Sequence, residues 1–70
     1  MTDWRAVVGA RIMEARVGAG LNRAQLGRRC GVTRAAASAW ELSSPPGLEM
    51  LLMIAKATEV SLAFLLKDLF

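Results

Sequence analysis

The chain has 70 residues, 54% of them hydrophobic and 21% charged, with a formal net charge of +3. That length supports one compact core, and hardly a substrate cleft walled by several elements. With no histidine and a single cysteine, Cys30, the chain has no histidine acid–base group, Cys/His zinc site or intrachain disulfide, and an enzyme is not expected.

Alternating strand patterns are absent and alanine and leucine dominate, so the elements are helices. The first helix is expected over about residues 3–19, with Thr2 as N-cap and Gly18 and Gly20 ending it. Trp4, Val8, Ile12 and Ala15 follow helical spacing and are expected to face a core, with Arg5, Arg11 and Glu14 outside that stripe. The second helix, about 23–30, opens with Asn22 as cap and Gln25 three residues on, a capping-box pattern. Gly31 follows where a tight turn calls for positive φ. Thr33 caps a third helix, about 33–42, and Ser43-Ser44-Pro45-Pro46 breaks the chain. A fourth helix spans about 47–58, and Ser61 caps a short fifth one, about 62–66. Five helices on one core make an all-α single domain over residues 1–70.

Charge is divided unevenly along these helices. Residues 1–34 hold all seven arginines against Asp3 and Glu14, a net of +5, while residues 35–70 carry a net of −2. A basic half joined to a slightly acidic half suits a face aimed at a polyanion, and equally suits arginines that solvate amphipathic helices. Met1-Thr2-Asp3-Trp4 does not resemble the start of a signal peptide. The apolar run from Leu48 to Ala55 is interrupted by Glu49 and falls far short of the ~20 residues of a membrane span. A soluble cytoplasmic protein is expected, with no cofactor, metal, membrane or small-molecule ligand.

The second and third helices are joined by a few residues around Gly31. Leu26, Val32, Ala37 and Trp40 are spaced to hold the pair on a core, with the small Gly27 where they approach closely. This is the geometry of a helix-turn-helix, whose second helix enters a DNA major groove, although αα-hairpins in general share it.

The residues also resemble the lambda-repressor/Cro-like helix-turn-helix family of phages and bacteria. Gly20-Leu21-Asn22-Arg23-Ala24-Gln25-Leu26-Gly27 is similar to that family's entry into the motif. Gly31-Val32-Thr33 and Ser38-Ala39-Trp40-Glu41 resemble its turn and recognition helix. Pro46, Leu51, Ile54-Ala55-Lys56-Ala57, Val60-Ser61 and Phe64-Leu65-Leu66 are similar to its fourth and fifth helices. The likeness covers about residues 8–66 without a gap.

The resemblance implies a five-helix lambda-repressor-like fold and double-stranded DNA as partner. Thr33, Arg34, Ala35, Ser38 and Ala39, with Leu42 at the end, then face the groove. Arg34 can grip guanine O6 and N7 for about 1–3 kcal/mol of discrimination, or contact a phosphate, or be a solvated helix-start charge. Ala35 and Ala39 offer a methyl contact to thymine, or are plain helix formers. Ser38 bonds to a base or phosphate, or back to its own helix. Arg23 stands where the resemblance leads one to expect Gln, and keeps a phosphate role together with Asn22. Arg28, Arg29 and Arg11 are phosphate contacts or a solvated face. Ser43 and Ser44 offer hydroxyls in a loop without the basic residues that relatives often use. Arg16 and Glu41 match an Arg–Glu pair that fixes the motif to the body. Ala37 and Thr58 replace larger aliphatics.

The last 23 residues carry more large apolar groups than one small core needs. A homodimer through Leu62, Phe64, Leu69 and Phe70 would use that surplus and set two recognition helices ~34 Å apart. The alternative is that these groups fill the monomer's own core.

A sequence-specific regulator, most similar to a Cro-type repressor on a pseudopalindromic operator, is the function this implies. An antitoxin autorepressor or restriction controller has the same fold. No length remains in the chain for an effector domain, so repression by occupancy is expected. The rival class is a helical protein–protein adaptor using the apolar C-terminal half. A catalytic Cys30, with its pKa lowered by Arg28 and Arg29, stands third against a buried core cysteine.

Overall fold

The computed structural model describes residues 3–67 and 69. It holds five α-helices in chain order, α1 (Trp4–Gly18), α2 (Arg23–Arg29), α3 (Arg34–Leu42), α4 (Leu48–Thr58) and α5 (Leu62–Leu65). Among the described residues there is no strand. The bounds differ from those read in the sequence by one residue at most, because the capping residues stand just outside the hydrogen-bonded turns.

Side chains start α1, α2, α3 and α5, α4 opens at Gly47 without a side-chain cap, and backbone closes the helices. Asn22 Oδ1 accepts from Gln25 N–H at 2.8 Å, and Gln25 Oε1 accepts from Asn22 N–H at 2.8 Å. Thr33 Oγ1 accepts from Ala36 N–H and Ser61 Oγ from Phe64 N–H, each at 3.1 Å. At α1 the cap is Asp3, whose Oδ1 accepts from Arg5 N–H at 3.0 Å; Thr2, expected there, lies outside the described residues.

The C-termini of α1, α2 and α4 share one closure. Leu21 N–H reaches Arg16 O, Val32 N–H reaches Gly27 O and Val60 N–H reaches Ala55 O, at 2.8–3.1 Å. The left-handed residue this closure requires is Gly20 (φ +73), Gly31 (φ +73) and Glu59 (φ +58) in turn. Only the third has a Cβ to strain it.

Val8, Ile12, Leu26, Ile54 and Leu65 are the largest fully buried side chains, one or two from each of α1, α2, α4 and α5. Ala37 and Trp40 add the buried side of α3. Ala37, which stands where the resemblance implies a larger aliphatic, is completely buried. Thr58 is also buried, and its hydroxyl donates to Ile54 O at 2.7 Å, which satisfies the polar atom. Trp4 departs from the expected core stripe. It is 53% exposed because the first turn of α1 overhangs the bundle, and its ring lies 5.9 Å from the Arg5 guanidinium.

Two glycines set how near the helices come. A Cβ on Gly9 of α1 would lie 2.7 Å from Glu41 O, at the C-terminal end of α3. A Cβ on Gly27 of α2 would lie 2.7 Å from Thr33 O, at its N-terminal end. Backbone therefore packs on backbone at both ends of α3, and no larger residue fits either place without displacement.

Candidate nucleic-acid interface

The second helix of the α2–α3 pair presents a mostly small, polar outer surface. Thr33, Arg34 and Ala35 are exposed and Ser38 and Ala39 are half-buried, while Ala37 and Trp40 anchor the opposite side. Leu42, at the far end, is 70% exposed.

Arg34 does not stand alone. A hollow of about 330 Å³ lies between the starts of α2 and α3, lined by Arg16, Asn22, Arg23, Ala24 and Arg34. Three arginines and the N-terminal end of α2 line it together, an arrangement that favours an anion. Behind the hollow sits the Glu41 carboxylate, its side chain only 1% exposed. Arg16 donates to it from Nε at 2.7 Å and from Nη2 at 3.2 Å, and Arg16 Nη1 donates to Leu21 O at 2.9 Å. Arg23 Nε donates to Glu41 Oε1 at 3.2 Å. One carboxylate thus orients two arginines and offsets one of their charges, so the cluster stays positive.

The structure brings Arg16 and Glu41 together and adds Arg23 to them, a third member that sequence reasoning missed. Arg23 and Glu41 are 18 residues apart and no local pattern signals the contact. Arg11 is engaged with Glu14 at 3.1 Å on the outer side of α1. Arg28 is exposed, and Arg29 donates from Nη1 to Ala57 O at 3.3 Å, towards α4. Ser43 and Ser44 are exposed just beyond α3.

The expected dimer residues Leu62, Phe64 and Leu69 are half-buried and pack against the monomer core, and Phe70 lies outside the described residues. Cys30 is buried at the end of α2, and burial pushes its thiol above the ordinary value of 9.0. That is the direction of an inert core cysteine, not of an activated nucleophile. Among the described residues, no group of three His, Cys, Asp or Glu could hold a metal ion, and no helix is long and apolar enough to cross a membrane.

No curated protein sequence matches the chain. A solved structure described as a hypothetical transcription factor from Neisseria is 32% identical with a TM-score of 0.84, covering 91% of this chain and 75% of that one. Residues 12–65 match the model of a family described as helix-turn-helix, a span that takes in α2, α3 and the arginine cluster between them. This chain accordingly belongs to the Cro/C1-type helix-turn-helix family of DNA-binding domains.

Proposed function

We propose that the protein is a sequence-specific transcriptional repressor, acting in the cytoplasm by occupying a pseudopalindromic operator as a homodimer. The observation that carries this reading is the convergence of Arg34, Arg23 and Arg16 at the shared entrance of α2 and α3. The likeness to a protein described as a hypothetical transcription factor supports the regulatory role.

In this reading α3 enters the major groove. Arg34 reads guanine, Ser38 bonds at the groove edge, and Ala35 and Ala39 pack against thymine methyl groups. Thr33, in the first exposed turn, stands beside them. Arg23, Asn22 and the N–H groups opening α2 hold one phosphate, with Arg28, Arg11, Ser43 and Ser44 at neighbouring phosphates. The molecule is 33 Å along its longest axis and presents one such helix, so one copy reads one half-site and two copies read the whole operator.

The test is selection from randomised duplex DNA at about 0.1 M salt, followed by binding of the selected site to an Arg34→Ala variant. An inverted repeat with half-sites ~10 bp apart is expected, as is a loss of about 1–3 kcal/mol with relaxed preference at one position per half-site. Selection that enriches no sequence would refute the specific-binder reading, leaving weak salt-sensitive binding to a basic surface.

A further inference from the structure

We propose that the exposed face of α4 is where a second copy of this chain docks, antiparallel, across a two-fold axis passing between Leu52 and Met53. The inference rests on the dimeric-operator reading above and supplies the surface that reading requires. Leu48, Leu52 and Met53 are 63%, 50% and 40% exposed, large apolar groups gathered on one helix. Together with exposed Glu49 and Lys56 they recur at i, i+1, i+4, i+5 and i+8, an unbroken stripe along the outer side of α4. The inner side is taken by Leu51, Ile54, Ala55 and Thr58, which face the core.

The charges on this stripe decide the occupant. Glu49 lies in the first turn of α4 and Lys56 in the last, with the apolar groups between them. A parallel copy would set Glu49 against Glu49 and Lys56 against Lys56. An antiparallel copy centred between residues 52 and 53 sets each Glu49 opposite Lys56 of the second copy, and symmetry makes the contact twice. Leu52 then meets Met53 of the second copy across the axis, and symmetry repeats that contact as well. Beside Lys56 is a hollow of about 440 Å³ lined also by Arg29, Met53 and Ala57. Arg29 is held there by its 3.3 Å bond to Ala57 O, so an incoming carboxylate meets two cations over an apolar floor. The groups on α5, by contrast, are half-buried against the core of their own chain.

The test is sedimentation equilibrium, without DNA, of the wild-type chain, E49K, K56E and the E49K/K56E double variant. Both substitution sites are exposed, and circular dichroism verifies that each variant is folded. The wild type is expected to dimerise below roughly 0.2 mM, and each single reversal to raise the dissociation constant about tenfold or more, because every change counts twice. The double variant should return to within about threefold of the wild type. Both substitutions oppose the dipole of α4, so recovery on combining them cannot come from a more stable helix. A wild type that stays monomeric, single variants that dimerise as it does, or a double variant no better than the singles would each overturn the proposal. Failure of this interface is distinguishable from failure of the DNA-binding reading. In the first case E49K still binds the full operator like the wild type. In the second the charge-reversal series behaves as expected while no variant prefers any duplex.

Discussion

Replacing Glu41 by alanine probes the joint between the helix-turn-helix and the rest of the molecule. The carboxylate is buried to 1% and takes hydrogen bonds of 2.7 and 3.2 Å from Arg16 and 3.2 Å from Arg23. Removing one member of a fully buried ion pair costs about 3–5 kcal/mol, mostly from the charge left without a partner. Here the arginine side chains are 13% and 28% exposed and can turn to water, so about 2–3 kcal/mol is expected. A domain of this size holds roughly 4–10 kcal/mol in total, so the loss is a large fraction of it. Thermal unfolding followed by circular dichroism should show a midpoint about 10–20 °C lower. The urea midpoint should fall while its slope stays unchanged, since the surface exposed on unfolding is the same. A variant melting within about 2 °C of the parent would show that the carboxylate's desolvation cancels its bonds, and would refute the reasoning.

Other substitutions follow from the backbone contacts and from Cys30. Gly27→Ala puts a methyl 2.7 Å from Thr33 O and should cost about 1–3 kcal/mol in urea unfolding; Gly18→Ala, where a Cβ meets nothing within 4 Å, should not destabilise. Glu59→Gly relieves the left-handed strain at the end of α4 and should change stability by no more than about 1 kcal/mol, in the favourable direction. The native Cys30 thiol should react with a disulfide reagent near pH 8 at least about a hundredfold more slowly than in the urea-unfolded chain, because reaction waits for opening. Its raised pKa also means that the unfolded thiol ionises first. The stability this group contributes is therefore full below about pH 9 and declines at higher pH, as urea midpoints on either side should show.

The turns were legible because their chemistry is local. Asn22 with Gln25, Thr33, Ser61 and Gly31 each carry out within a few residues what their identities imply. Trp4 misled because helical spacing fixes the side on which a residue lies, and says nothing of whether the core extends that far along the helix. The Arg23–Glu41 contact was invisible for the opposite reason, since it exists only once α2 and α3 have folded on one another. Gly9 did leave a signal. A glycine inside an amphipathic helix costs about 1 kcal/mol relative to alanine, and the approach of Glu41 O accounts for its presence. The left-handed Glu59 left none, because the residue type there gives no hint of the backbone it adopts.

The two glycine contacts at the ends of α3 have an evolutionary consequence. They hold the helix by main-chain atoms, Thr33 O at one end and Glu41 O at the other, and main chain does not vary with sequence. The outward residues Arg34, Ala35 and Ser38 take no part in that clamp. On the proposed reading, exchanging those side chains alone would let a lineage rewrite the address it recognises, while the clamp keeps α3 aimed as before.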